Sequence, residues 1–474
     1  MMEKYTMEIR VPSYIQEVTT LLESSGYSCY VVGGAVRDLF LGLEPKDWDL
    51  TTNATVSQME EVFLGFQLLP TGIDHGTMTL RVPYQGDKES VEITTFRKDG
   101  IYFDGRHPSS VEHTDDIYED LSRRDFTINA LAYRVSEGVV YHYPDGVSDL
   151  SRGIIRLVGH SYEDKVWRLI EDPLRMLRAV RFASRYGFKI ENETVRAIWE
   201  KKYLLYRVSV ERIQDELNKT LMSKYVKFGL EYMNMLGLLE IVSPMHKLLD
   251  GLEQSYPHNS DVLGHTFEVV GQLLGSDGLM LKLAGFFHDI GKSLTRTVGE
   301  DGRIHFYEHE RVGAKVAEVE LRRLKYPNIL IDRVVWLVGN HMIQEELSKK
   351  GIRRLVSRCK GDYELVRDCI ELRKADLRGR VDTEFCTLKL KTLEGLEEVL
   401  QEVELEKVPM NPAQLDLTGT DIMREFSLEP GRVVGSALNY LMEKVLDGDV
   451  ENKKGSLLKE LYEGKSEWVK MEGY

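Results

Sequence analysis

Cysteine is scarce in this chain: among 474 residues only Cys29, Cys359, Cys369 and Cys386 are cysteines, and none stand in C-x-x-C spacing. That leaves no zinc ribbon and no disulfide framework, and makes a reducing cytoplasm the simplest location. Long apolar runs are missing too. No stretch could span a bilayer, and Met1 to Arg10 is charged and lacks the apolar core of a signal peptide, so no membrane is expected. There is no internal repeat and no low-complexity tract. A basic excess is absent as well: 62 basic residues face 77 acidic ones, a net charge of −15, which argues against broad nucleic-acid binding. The distribution matters more than the sum. Lys165 to Lys202 is basic, with Arg168, Arg175, Arg178, Arg181, Arg185 and Lys189, while the acid excess lies in Glu112–Asp120 and the C-terminal third, for example Glu394 to Glu406. A local basic stripe on an acidic body suits gripping one RNA without coating others.

What is present is a globular composition, 42% hydrophobic and 29% charged, with a length that implies about three or four domains. Up to about Leu150 the pattern is strand-rich, with Gly, Pro and Asp turns between apolar runs; from about Tyr162 it is helical almost throughout. Tyr143-Pro144-Asp145-Gly146 reads as a strong turn and a boundary, and Ser255-Tyr256-Pro257-His258-Asn259 as another break. Gly291 to Gly302 and Tyr326-Pro327-Asn328 read as loops. The expected fold class is α+β: a head over residues 1–150 with a small mixed sheet, followed by an elongated all-α body.

The most informative stretch lies in the head. Cys29 to Val32 reads as a short buried strand, Gly33-Gly34 as a turn whose backbone N–H groups can approach an anion, and Ala35 to Leu41 as a helix stopped by Gly42. Asp47 and Asp49 then fall on one side of an extended segment, because side chains alternate with period two. In Val91 to Phe96 the same rule turns Val91 and Ile93 one way and Glu92 the other, so that Glu92 can close the site from a neighbouring strand. Clustered carboxylates form a hard-oxygen site for Mg²⁺ beside a turn suited to a triphosphate, a combination that suggests metal-assisted nucleotidyl transfer.

Three further constellations carry chemistry. Arg123 to Leu131 sets two cations, an acid and an amide before an expected apolar helix that Asp125 can cap; Arg124, Asp125 and Asn129 are alternatively ribose and phosphate ligands. Glu171-Asp172-Pro173-Leu174-Arg175-Met176-Leu177-Arg178 reads as the start of a helix with Asp172 and Arg175 on one face. That pair is either an ordinary ion pair or a donor–acceptor edge for a nucleobase. His265, His288, Asp289, His309, His341 and Asp376 are expected on helices or their ends, as a one- or two-metal site suited to Mn²⁺, Fe, Ni²⁺ or Mg²⁺ more than structural zinc.

Taken in order, Gly33 to Asp38, Asp47 to Thr52, Gly72-Ile73-Asp74-His75-Gly76-Thr77, Arg123 to Ala130 and Glu171 to Arg178 resemble the class II tRNA nucleotidyltransferases and bacterial poly(A) polymerases. Asp104 to Pro108 looks like that family's flexible-loop segment, though His107 stands where many relatives carry a second arginine. Ser209 to Ile213 is similar to its next helical motif, and Leu417 to Asp421 and Glu429 to Arg432 match its tail. The His/Asp set looks like an HD metal-dependent phosphohydrolase domain, which some members carry.

The resemblance implies a polymerase-beta-like head (1–150) and a neck for base recognition and RNA binding (151–235). An HD domain (236–385) and a tRNA-binding helical tail (386–474) would follow. It implies that Asp47, Asp49 and Glu92 form the catalytic cluster with Mg²⁺, and that Gly33, Gly34 and Arg37 contact the triphosphate. Arg124, Asp125 and Asn129 would bind the nucleotide's sugar and phosphates, with Arg178 among the nucleotide ligands. Asp172 and Arg175 would template CTP or ATP, and Arg97 to Tyr118 would help switch from C to A addition. The expected activity is addition of C, C and A to tRNA 3′ ends. Partners would be tRNA, CTP and ATP, the protein being a monomer or homodimer, with a divalent transition metal or Mg²⁺ in the HD site. CC-adding, A-adding and poly(A)-adding enzymes are the near rivals; Asp104 to Pro108 speaks against CC-only addition, since the resemblance implies that such enzymes lack it. A phosphohydrolase with an RNA-binding head is the rival of another class.

Overall fold

The computed structural model describes residues 2–73, 76–100, 111–255, 260–273, 278–381 and 383–469. Asp74 and His75, the Asp104 to Pro108 segment and the break at Tyr256 to Asn259 lie outside the described residues. Two compact units are resolved, Met1–Lys247 and Leu248–Tyr474.

The first unit is built on a mixed sheet. Its strands are β1 (Glu3–Thr6), β2 (Cys29–Val32), β3 (Asp49–Thr52), β4 (Gln67–Gly72), β5 (Thr77–Tyr84) and β6 (Asp87–Thr95), then β9 (Leu131–Arg134) and β10 (Val139–His142). β7 (Arg97–Asp99) and β8 (Val111–His113) pair apart from it as an antiparallel ribbon. The eight strands run in the order β1-β10-β9-β2-β3-β6-β5-β4, and β3–β6 is the parallel pairing among antiparallel ones. All four residues of β2 are buried, as a central strand requires. Tyr30, Val32, Phe96, Leu121, Ala132, Tyr141 and Tyr143 pack into one cluster of the core. The helix Ser13–Ser24 buries Tyr14, Ile15, Val18 and Leu22, one stripe of its surface.

One local expectation fails here and a second is only partly met. The apolar run after Asn129 is a strand: a 3₁₀ turn at Thr127–Asn129 leads into β9, whose backbone completes the ladder between β2 and β10. Sheet pairing overrides a pattern that local periodicity left ambiguous. Glu171 to Arg178 do open a helix, as read, but the same segment also closes the one before it, and Asp172 belongs to neither. One helix, Tyr162–Glu171, ends there, and the next, Arg175–Tyr186, starts four residues on. Asp172 between them is extended, with φ −138° and ψ 96°, because Pro173 disfavours the helical region for the residue before it.

The second unit is helical among its described residues apart from a hairpin, Arg296–Val298 paired to Ile304–Phe306, whose first strand lies in the Gly291 to Gly302 stretch read as a loop and whose second lies just beyond it. Its helices include Val262–Gln272, Gly278–Phe287, His309–Arg323, Asn328–Asn340 and Tyr363–Arg378. Tyr326 and Pro327 separate two of them, as the turn residues indicated. Among the described residues no helix is long and apolar enough to cross a membrane.

Candidate active site and candidate metal centre

The parallel pairing sets Asp49 opposite Glu92 and Leu50 opposite Ile93. Leu50, Val91 and Ile93 are buried while Glu92 is exposed, so alternation puts both carboxylates on the face away from the core, as read from the sequence. Asp47 precedes the strand and lines the same cavity as Asp49, of about 660 Å³; Glu92 stands beside Asp49 but is not part of that wall. Burial and the neighbouring Glu92 raise the Asp49 carboxyl above its usual range; Arg124 opposes this and Asp47 adds to it. Crowded like charges of this kind are relieved by a cation.

Gly33 turns the chain from β2 into the helix Gly34–Phe40 with φ +64°, in the left-handed region, and an added Cβ would meet Arg124 Nη1 at 3.0 Å. Arg37, one turn into that helix, is buried; its Nη1 donates to Asn129 Oδ1 (2.5 Å), and its Nε and Nη2 donate to Asp38 Oδ1 (2.8 and 2.7 Å). Asp125 ties the 3₁₀ turn to the helix Arg175–Tyr186: its Oδ1 accepts from Asn129 Nδ2 (2.9 Å) and Phe126 N (2.8 Å), and its Oδ2 from Arg178 Nε (2.8 Å). Burial alone would raise the Asp125 carboxyl, but Arg178 and the bond from Asn129 win and hold it at about 2. Its expected cap on a helix is replaced by this network. Gly33, Gly34, Arg37, Arg124, Asp125, Asn129 and Arg178 all line the cavity with the two aspartates.

Asp172 and Arg175 also line it, but they are not partners. Asp172 accepts from Arg212 Nη2 at 3.0 and 3.2 Å, and Arg175 Nη1 donates to Glu171 Oε2 (2.8 Å) and to the Arg168 carbonyl (2.8 Å). The ordinary intrahelical pair is therefore corrected: each side chain is positioned by a different neighbour, and both are set by the break at Pro173.

Several contributors escaped the sequence reading. Asp120, counted only within the acid excess of Glu112–Asp120, has a fully buried side chain and accepts from Arg123 Nε (2.9 Å) and Arg124 Nη2 (3.2 Å). Phe182 lies under three guanidinium groups, those of Arg37, Arg178 and Arg181, at 5.3, 5.6 and 4.7 Å from its centroid. The i, i+4 and i+3 spacing of Arg178, Phe182 and Arg181 was the available signal.

In the second unit all six expected residues converge and are buried. Each imidazole is oriented by a main-chain carbonyl at Nδ1: His265 by Gly379 (3.2 Å), His288 by Gly285 (2.8 Å), His309 by Phe306 (2.8 Å) and His341 by Val338 (2.7 Å). This fixes the tautomer and turns every Nε2 inward, the arrangement metal-ligating histidines need. The donors form two groups, His265–His288–Asp376 and Asp289–His309–His341, each within 4.8 Å. Burial opposes the charge on Asp289, yet His288 and Lys292 keep its carboxyl well below the usual range, while burial and the charge on His288 push His341 down to about 3. Asp289, His309, His341 and Asp376 open on a cavity of about 430 Å³ that Lys292, His305 and Arg380 also line.

These features define a nucleotidyltransferase-type head followed by a helical region, and comparison with known proteins agrees. Residues 29–156 match the family model "Poly A polymerase head domain". Residues 187–249 match that of the RNA and SrmB-binding site of polymerase A, and 311–461 that of tRNA nucleotidyltransferase domain 2. A CCA-adding enzyme of Lactococcus lactis subsp. lactis is 30% identical over 458 residues, 95% of this chain and 98% of the relative. A CC-adding tRNA nucleotidyltransferase of Thermus thermophilus is 32% identical over 436 residues, 90% of this chain and 91% of the relative. A CCA-adding enzyme of Lactobacillus gasseri is 46% identical over 198 residues, 42% of this chain and less than half, 47%, of that relative. The solved structure of the Bacillus stearothermophilus CCA-adding enzyme in complex with CTP shares the fold, with a TM-score of 0.71 and 24% identity over 97% of this chain and 98% of that one. The chain belongs to the tRNA nucleotidyltransferase and poly(A) polymerase family.

Proposed function

We propose that this chain adds C, C and A to the 3′ end of tRNA, using CTP and ATP and no nucleic-acid template. The observation that carries the reading is the register of Asp49 with Glu92, with Asp47 beside Asp49 in an arginine-lined cavity. The relatives named CCA-adding enzyme support it, and those from Lactococcus lactis align over nearly all of both chains. The donor set fits divalent cations: hard oxygens, with the Asp49 carboxyl raised by burial and then by its acidic neighbours. Asp47 and Asp49 would hold two Mg²⁺ ions with Glu92 completing the cluster. When bound, these ions lower the pKa of the RNA 3′-hydroxyl and stabilise the pyrophosphate leaving group.

The chain's own groups supply positioning. The turn at Gly33 and Gly34 lets the triphosphate approach backbone N–H groups beside Arg37 and Arg124. Asp125, kept ionised, accepts from a ribose hydroxyl, while Asn129 and Arg178 hold that carboxylate in place. Asp172 and Arg175, each braced separately, present an acceptor and a donor edge to cytosine or adenine. Preorganised donors and acceptors contribute through orientation.

CC-only addition is the second reading, favoured by the Thermus relative. Purified protein given tRNA that ends before the triplet distinguishes the two. CTP alone should add two C residues, and CTP with ATP the full triplet, by product sequencing. A product that stops at CC with both nucleotides present selects the second reading, and no extension at all removes both.

The buried histidines and aspartates of the second unit support a further reading. We infer that they hold a divalent transition metal or Mg²⁺ and hydrolyse a phosphate ester, apart from nucleotide addition. Asp289→Ala should eliminate that hydrolysis and leave tRNA extension intact; undiminished hydrolysis would remove the metal centre from the account.

A further inference from the structure

Resting on the reading of the head as a site that takes CTP and ATP, we propose that Asp120, which lies behind the cavity wall, is a positioning residue that sets the triphosphate grip and the base-reading arginine together. Asp120 sits on the short helix Ile117–Ser122, and its side chain is fully buried. It is not among the residues that line the cavity of about 660 Å³, whereas Arg123, Arg124 and Arg175 are. Its carboxylate divides between two cations. Oδ1 accepts from Nε and Nη2 of Arg123 at 2.9 and 2.8 Å, and Oδ2 accepts from Nη2 of Arg124 at 3.2 Å. Burial opposes the charge, but the two guanidinium groups outweigh it and hold the carboxyl below its usual range. A buried ionised acid that loses a partner is strongly destabilising, so both arginines stay tied to it.

The Arg124 arm serves the triphosphate. Its Nη2 is bound to Asp120 while its Nη1 lies over the turn at Gly33, where an added Cβ would come within 3.0 Å of it. Arg124 Nε is buried and makes no hydrogen bond among the described residues. Asp120 is thus the group that fixes the plane of this guanidinium, and a fixed plane is what lets an arginine meet phosphate oxygens with two parallel bonds.

The Arg123 arm serves the base through the backbone. Two bonds to Asp120 pin Arg123 at the C-terminal cap of the helix, and its carbonyl accepts from Arg175 Nη2 at 3.3 Å. The preceding carbonyl, that of Ser122, accepts from Arg168, and Arg168 and Arg175 both donate to Glu171 Oε2 at 2.8 Å. The side chain that Arg175 presents to a nucleobase is therefore braced on the same short segment that orients Arg124. One carboxylate, touching no substrate itself, stands behind both ends of the nucleotide.

The test is a double-mutant cycle in the full chain, read by addition of CTP to tRNA ending before the triplet and of ATP to tRNA ending in CC. Asp120→Asn should raise KM for both nucleotides roughly 10-fold while kcat changes far less, and should lower the preference for CTP over UTP roughly 3-fold. Combined with Arg124→Ala, the same substitution should change KM by less than about 2-fold, because residues that act through one contact are not additive. The loss of base preference should persist in that background. Asp120→Glu, which keeps the charge on a longer side chain, goes through the same cycle with the same pattern expected, so that an amide variant misfolded by circular dichroism does not decide the outcome. If the parent extends tRNA, KM losses that add to those of Arg124→Ala, or an unchanged base preference, overturn the positioning role and leave the proposed function standing. A parent that adds neither nucleotide overturns the proposed function and this inference with it.

Discussion

The head and the second unit both gather acidic groups around a space suited to cations, but they do so with opposite chemistry. In the head the donors are carboxylate oxygens at the wall of a wide cavity crowded with arginines, and Glu92 is exposed. In the second unit they are four imidazoles and two aspartates, all buried, each ring locked by a carbonyl. Oxygen-only sites suit Mg²⁺ that arrives and leaves with a nucleotide, whereas preoriented nitrogen donors suit a resident transition metal. On the proposed reading, ligand type and burial would keep two metal chemistries apart within one chain.

The largest effect expected is in the head. Asp49→Ala should lower incorporation of labelled CTP and ATP by roughly 10³-fold or more, as loss of a metal-holding group does. Metal retained by the second unit should be unchanged; loss of both from a folded variant would break the contrast between the sites. Next is Gly33→Val, which forces a β-branched side chain into φ +64° and against Arg124. It should cost roughly 10²-fold in kcat/KM for CTP, on the scale that small misplacements of a reacting group produce. An unaffected kcat/KM would show that the turn does not guide the triphosphate.

Smaller and more specific is Asp172→Ala. Discrimination against UTP and GTP should fall by about 10-fold or more, the range for losing one base-edge contact, while total turnover persists. If selectivity is unchanged in single-nucleotide incorporation assays, Asp172 serves only to hold Arg212. The smallest effect concerns stability. Asp125 is held at about 2 in the folded chain, and a carboxylate in an unfolded chain titrates near about 3.9. A depressed folded value means that its stabilisation is complete above the unfolded value and is lost as pH falls through the folded one. The difference in urea midpoint between the parent and Asp125→Asn should thus be constant above pH ~5 and shrink from pH ~4 to ~2. A gap that does not narrow would dissociate Asp125 from its ion pair with Arg178.

Much of this contrast was legible in the residues. Period-two alternation put Glu92 opposite in sense to Val91 and Ile93, and burial follows that pattern. The six histidine and aspartate positions all converge, because each lies on or at the end of a helix, or in the turn following one, where apolar neighbours carry it into the core. What was not legible depended on backbone breaks and distant partners. Asp172 was assigned to a helical face because Pro173 resembles a first-turn proline; the same proline holds Asp172 extended and ends the preceding helix. The partner of Asp172, Arg212, is forty residues away, beyond the reach of any local spacing rule. Asp120 was one acid within the excess of Glu112–Asp120, and only the fold shows that it holds Arg123 and Arg124 from inside. Likewise, the carbonyls that orient the four imidazoles are main-chain groups that no side-chain pattern announces.

The most direct measurement for the head is anomalous diffraction from crystals of the full chain soaked with Mn²⁺ and a non-hydrolysable CTP analogue. Manganese peaks within about 2.0–2.3 Å of carboxylate oxygens of Asp47 and Asp49, with Glu92 alongside and the triphosphate over Gly33, are the predicted result. Analogue bound in the cavity with those aspartates bare of metal would contradict it.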